Sequence, residues 1–167
     1  MWLLDGLEAG GAERLALQFA AAPLAWPVWL VGLRPPRSAG GRAAWGAEWD
    51  RVAGRVHLAG LHGLRDLAGW WRLRRWLAER RPLLLHAHLR YATCVGGRLA
   101  RGLGIPLLTT VHVEPGRERG RQRWLAGWER AERRRAARVI YVSAAQRAAW
   151  GRVAGREREG VIGNGVS

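Results

Sequence analysis

Two histidines separated by one residue, His86 and His88, close the apolar run Leu83–His88, and a third, His112, follows the run Pro106–Val111. An imidazole is neutral near pH 7 and can take a proton, donate a hydrogen bond or bind a metal. Alternate residues of a strand share a face, so His86 and His88 point the same way. Two imidazoles could begin a metal site, but no third ligand stands at a suitable spacing. The pair therefore reads as buried and hydrogen-bonded. His112 differs, because it lies just past a strand end, at the rim of a cleft. There an imidazole can bond a ligand hydroxyl or accept its proton. A structural role for it stays open.

Other candidates fall at equivalent places. Gly10-Gly11 precedes a helical pattern, where bare backbone can approach a ligand and amides at a helix start favour an anion. The same dipeptide suits a tight turn, and Glu13 can complement the helix dipole. The three-glycine dinucleotide fingerprint is missing, and so is the Gly-Lys-Ser/Thr of a P-loop. Arg90 follows His88, Ser143 follows the run Val139–Val142, and Gly163-Asn164-Gly165 follows Gly160–Ile162. Ser143 sits in Val-Ser-Ala-Ala, which lacks the Gly-x-Ser-x-Gly elbow of hydrolases. We find no nucleophile triad.

These residues need elements to hold them. Strands are expected over Met1–Leu4, around Val28–Val31, and over Arg55–Ala59, Leu83–His88, Pro106–Val111, Val139–Val142 and Gly160–Ile162. The Leu83–His88 run is continuously apolar before its histidines, as in a strand buried on both faces. A helix follows the turn Asp5–Gly11, with Ala12, Leu15, Ala16, Phe19 and Ala22 on its apolar face and Pro23 at its end. Arg34–Arg42 reads as a loop and Ala43–Ala53 as a short helix. Asp66 is placed to cap a helix that turns Trp70, Leu73 and Leu77 inward. Ala92, Val95, Gly96, Leu99 and Leu103 repeat at helical spacing up to Gly104. An arginine-rich helix is expected over Arg117–Arg138 and a last one over Ala144–Val153. Strand–helix alternation predicts an α/β fold, a doubly wound, mainly parallel sheet in a single domain. Ligands of such sheets bind at the carboxyl ends of the strands. The polar and glycine residues named above all gather at that edge.

Composition bounds the remaining possibilities. With 167 residues, 49% hydrophobic and 25% charged, the chain is long enough for one well-cored domain. Its one cysteine, Cys94, excludes an internal disulfide. The best apolar run, Leu24–Leu33, is too short to span a membrane and is broken by Pro27. No basic-then-apolar leader opens the chain, so the expected compartment is the cytoplasm. The net charge of +15 points to an anionic partner. All 28 basic residues are arginine, however, in a chain rich in Ala, Gly and Trp. That bias matches a GC-rich genome and weakens the charge as a sign of function. Residues 117–138 carry nine arginines and three glutamates, with Trp124, Leu125 and Trp128 on one side. Such a helix either lies on anionic lipid or packs its tryptophans on the sheet.

Taken in order, the motifs resemble the N-terminal half of a family-4-type glycosyltransferase of the GT-B fold. They are Asp5-Gly6-Leu7, Gly10-Gly11-Ala12-Glu13-Arg14, His86-Ala87-His88-Leu89 with Gly97-Arg98-Leu99-Ala100, Gly104-Ile105-Pro106 through His112, Ala137 through Ser143, and Val161-Ile162-Gly163-Asn164-Gly165-Val166. Gly163 stands where such proteins often have proline. The resemblance implies transfer of a sugar from a nucleotide-sugar donor to a glycan or lipid-linked acceptor, with retention and without a catalytic metal or other cofactor. The N-terminal domain, here residues 1–167, binds the acceptor. A C-terminal domain with an acidic Glu-x7-Glu motif holds the donor and is expected to be absent from this chain, which would leave it inactive alone. The first strand begins almost at Met1, so the leading residues usual in the family are expected to be missing.

On that pattern His112 reaches the reacting sugar, as base or as orienter. Gly10 and Gly11 lie near the donor diphosphate. The substrate-binding candidates are Gly10, Gly11, His88, Arg90, Ser143 and Asn164. No specific nucleic acid is expected, while peripheral contact with the inner face of the cell membrane is. Two other classes stay open: a basic module that binds nucleic acid or membrane, and a truncated product without activity.

Overall fold

A computed structural model describes residues 1–8, 10–35, 46–112, 116, 120–151 and 153–163. The chain divides into two compact units, Met1–Pro82 and Leu83–Ser167. Both are α/β, and every strand pairing within them is parallel.

The first unit contains β1 (Trp2–Leu4), α1 (Gly11–Ala21), β2 (Leu30–Gly32), α2 (Gly46–Val52), a 3-10 turn (Ala53–Arg55), β3 (Val56–Leu58) and α3 (Leu67–Arg80). Its strands run in the order β3-β2-β1. Trp2, Leu30 and Val56 are in register and share a face. That face packs with Leu4, Leu7, Ala16, Leu17, Ala20 and Val52, so α1 and α2 cover it. α3 covers the other face: Trp76 stacks on His57 with ring centres 4.0 Å apart and meets Trp29 edge-on. The Arg80 guanidinium lies over both tryptophans. Helices on both faces are what the strand–helix alternation predicts.

α1 is turned relative to expectation. Its buried residues are Ala16, Leu17 and Ala20, while Phe19 is exposed and stacks on Trp2. The small side chains Ala16 and Ala20 take the buried positions with Leu17, and the phenyl ring packs at their margin. Asp66 caps α3 as expected, its carboxylate accepting from the Gly69 amide at 2.8 Å.

The second unit contains β4 (Leu85–His88), α4 (Arg90–Leu103), β5 (Leu107–Val111), α5 (Arg121–Arg135), β6 (Arg138–Tyr141), α6 (Ala144–Trp150), a 3-10 turn (Arg156–Arg158) and β7 (Glu159–Val161). The strand order is β4-β5-β6-β7. β4 is buried along its whole length, as a two-faced strand should be. Gly104 ends α4 in the left-handed region, φ 68°. α4 and α5 pack closely. A β-carbon on Gly97 would fall 2.8 Å from Glu132 Cβ, so only glycine permits this approach.

α5 is shorter than expected and its charges are sorted. Glu129 and Glu132 are buried, with Arg133 beside them. Glu129 takes Arg90 Nε at 2.9 Å and also Arg133, whose guanidinium lies over the Trp150 ring. Glu132 accepts both terminal nitrogens of Arg101, at 2.8 and 3.2 Å, and the Trp128 indole at 3.0 Å. Leu125 is buried, whereas Trp124 is 59% exposed. The tryptophans thus divide between packing and solvent. Most of the expected loop over residues 34–42 lies outside the described residues, as do residues 117–119.

Candidate functional site

β4 and β5 set the site. Parallel pairing puts His86 beside Leu108 and His88 beside Thr110. Each histidine reaches the residue two beyond its own partner. His86 Nε2 meets Thr110 Oγ1 at 2.7 Å, and His88 Nδ1 meets His112 Nε2 at 3.0 Å. The slant of a parallel ladder and the shared face of alternate residues produce this diagonal. The rings form a row, with centres 4.2 Å apart from His86 to His88 and 5.3 Å from His88 to His112.

The row grades from core to surface. His86 is 8% exposed, His88 is 3%, and His112 is half-buried just past the end of β5. Burial disfavours the charged imidazolium, so all three titrate below their ordinary value. His86 is pushed down to about 3, and His88 is held well below the usual range. At neutral pH the three are neutral, and His112 is the most open of them. A neutral imidazole at a strand end can accept a proton or a hydrogen bond from a hydroxyl. His86 and His88 are the buried, bonded side chains expected of them.

The turn after β4 is unusual. Leu89 has φ 72°, uncommon for a residue with a branched side chain, and it caps α4. Thr93 secures it, donating through both Oγ1 and N to the Leu89 carbonyl at 2.8 and 3.1 Å. Strain of this kind costs on the order of 1–3 kcal/mol and gathers at functional strand ends. The sequence carries no signal for it, since nothing in His88-Leu89-Arg90 demands a positive φ.

The remaining candidates take varied positions. Arg90 starts α4, and its side chain is engaged by Glu129 and by Gln122 at 3.3 Å. Ser143 caps α6: its Oγ accepts from the Gln146 backbone N–H at 3.1 Å, while the Gln146 side-chain Oε1 accepts from the Val142 N–H. The Ser143 hydroxyl proton can still point to a ligand. Gly10 caps α1 in extended backbone without a side-chain bond. A β-carbon there would overlap the Glu13 carboxylate, which folds back over the helix start. Burial holds that carboxyl above its usual value, against the pull of a backbone hydrogen bond. Asn164 lies outside the described residues.

Within the second unit, then, the structure joins His86, His88, Thr110 and His112. Arg90 is drawn into the α4–α5 ion network instead. Among the described residues no group of three or more His, Cys, Asp or Glu could hold a metal ion. No helix of those residues is long and apolar enough to cross a membrane.

Solved structures share this architecture. Anabaena Alr3699/HepE in complex with UDP-glucose is similar with a TM-score of 0.74 at 22% identity, over 99% of this chain and 44% of that one. The lipopolysaccharide outer core galactosyltransferase WaaB gives 0.66 at 12% identity, covering 99% and 45%. Acinetobacter baumannii MurG gives 0.60 at 14%, covering 99% and 46%. The chain therefore spans less than half the length of these proteins. Among curated proteins no match is found. The family model described as Glycosyltransferase Family 4 matches residues 9–167. The expected resemblance and the expected α/β fold both hold, and the chain belongs to Glycosyltransferase Family 4.

Proposed function

We propose that residues 1–167 form the acceptor-side, N-terminal domain of a glycosyltransferase. The enzyme moves a sugar from a nucleotide-sugar donor to a glycan or lipid-linked acceptor, in the assembly of a polysaccharide or glycolipid. The observation that carries this is the family match over nearly the whole chain, combined with coverage of 44–46% of the similar structures. HepE is described with UDP-glucose bound and WaaB as a galactosyltransferase. The donor would sit on a C-terminal domain beyond this chain, and the reaction would retain configuration without a metal. In this reading His112 faces the reacting sugar. Gly10 and Gly11 would lie near the donor diphosphate, with the Glu13 carboxylate that folds over Gly10 moved aside, and Ser143 and Asn164 would contribute polar contacts. Arg90 would act by holding the start of α4.

A site that needs two domains loses donor positioning when one is missing, and positioning is worth roughly 7–11 kcal/mol. Given labelled nucleotide sugars with lipid or glycan acceptors, the 167-residue chain should transfer nothing appreciable. The same chain joined to a nucleotide-sugar domain should turn over. Turnover by the chain alone at a two-domain rate would refute the assignment of the donor site.

The outer face of α5 supports peripheral contact with the cytoplasmic face of the membrane. Arg123, Arg130 and Arg134 lie on one exposed stripe with Gly127, and Trp124 and Arg135 flank it. Both glutamates of α5 are turned inward, so this stripe is purely basic. Each basic residue near an anionic surface contributes about 1 kcal/mol, screened by salt. The chain should sediment with anionic vesicles at low salt and be released at high salt. Equal binding to neutral vesicles would exclude this reading.

A further inference from the structure

We propose that His88 is a positioning residue for His112: it accepts a hydrogen bond at Nδ1 from His112 Nε2–H and so keeps the Nδ1 lone pair of His112 for the acceptor hydroxyl. This rests on the reading of His112 given above, and it assigns His88 to the second layer of the site, behind His112.

The geometry leaves two arrangements of the 3.0 Å bond. If His88 donated, His112 would carry its proton on Nδ1 and could only donate to a ligand. On gaining a second proton it would then press an Nε2–H against the His88 N–H. If His112 donates, its Nδ1 is an open base. The imidazolium formed there keeps its Nε2–H bonded to a neutral acceptor. Only the second arrangement serves both protonation states of His112. In the transfer step the acceptor O–H bond breaks and its proton goes to His112 Nδ1. The oxygen keeps the electron pair and bonds to the sugar carbon on the same face from which the donor diphosphate departs, as retention requires. The bond from that carbon to the donor diphosphate breaks, and its pair leaves on the phosphate oxygen.

His88 is built to serve as a fixed acceptor. It is 3% exposed, on a fully buried strand whose exit is locked at Leu89 by Thr93. Its ring is held against His86, which is itself bonded to Thr110. Burial keeps the His88 ring neutral, and a neutral ring protonated on Nε2 presents the required lone pair at Nδ1.

The test reads the proton directly. Nitrogen-15 NMR of the 167-residue chain, at a pH where its imidazoles are neutral, should show His112 protonated on Nε2 in one tautomer. His88→Phe, which fills the space without an acceptor, should give a mixture of both tautomers. His88→Asn, whose Oδ1 stands where Nδ1 was, should restore the single form. In the two-domain enzyme His88→Phe should lower kcat roughly 10–100-fold, as loss of an orienting partner does for metal-bound histidines, with KM nearly unchanged. His88→Asn should recover most of that loss. A wild-type His112 protonated on Nδ1 overturns the proposal, even if no variant folds. An unchanged tautomer in His88→Phe also overturns it, and so does a rise in KM with kcat intact. The tautomer is measured without any sugar. If the expected spectrum is found but the wild-type enzyme transfers no sugar, it is the functional reading that fails.

Discussion

Replacing His112 by alanine is expected to lower sugar transfer by the two-domain enzyme roughly 10²–10⁴-fold, the usual contribution of a positioned general base. A smaller loss would mean that the imidazole only orients the sugar. The fold should survive the change. From sequence alone a rim residue would cost less than about 0.5 kcal/mol. The structure raises that figure, because His112 is the partner of His88 Nδ1. Removing a partner from a buried polar group costs about 1–3 kcal/mol. His86→Ala should behave in the opposite way. It deletes a buried ring and its 2.7 Å bond to Thr110, at a cost on the order of 2–5 kcal/mol, while turnover per folded molecule falls far less than in His112→Ala. Paired thermal melts and turnover assays separate the two. If His112→Ala lost stability yet kept turnover per folded molecule, the proposed site would be wrong.

Acid should unfold this protein through the same row of rings. His86 titrates at about 3 when folded and near 6.5 when unfolded. Between those values the unfolded chain binds a proton that the folded chain refuses, so stability falls as pH falls. The contribution is intact above pH 6.5 and fully lost below about 3. At about 1.4 kcal/mol per unit the loss is on the order of 4–5 kcal/mol. That is comparable to the total stability of many domains. His88, His57 and His112 are shifted the same way by burial and add to it. Urea midpoints at about pH 7 and about pH 4.5 measure the slope. His86→Gln, with an amide nitrogen where Nε2 stood, should flatten it. An equal slope in the variant would place the titration elsewhere.

Much of the site is legible in the sequence because strand periodicity is a local rule. His86 and His88 alternate and end an apolar run, so their shared face and burial follow directly. Asp66 as a cap and Gly104 as a stop are local as well. What does not follow is anything that depends on register or tertiary approach. The His88–His112 bond needs the pairing of β4 with β5, which no single strand encodes. Arg90 and Glu129 are 39 residues apart, and only the packing of α4 on α5 makes them a pair. For the same reason Arg90 reads from sequence as a ligand contact when its charge is used inside the fold. Summing charge over residues 117–138 hides the sorting of α5, whose acids face inward. The rotation of α1 does not follow from the sequence, because the large Phe19 reads as core, whereas Ala16, Leu17 and Ala20 take the buried positions and Phe19 stacks on Trp2 partly in solvent.

The strand orders have a consequence for synthesis. Within each unit every strand lies beside the one made just before it, β1 to β3 in the first and β4 to β7 in the second. When a strand leaves the ribosome, its neighbour has already emerged, together with the helix that covers their seam. Within a unit each strand waits only for the next one made, which shortens the time an edge is bare and open to wrong pairing between nascent chains. Within a unit each loop to be closed runs from one strand to the next in the chain, which keeps the entropy of closure small and nearly equal from one step to the next. Each unit can thus grow by accretion at the pace of translation, one crossover at a time.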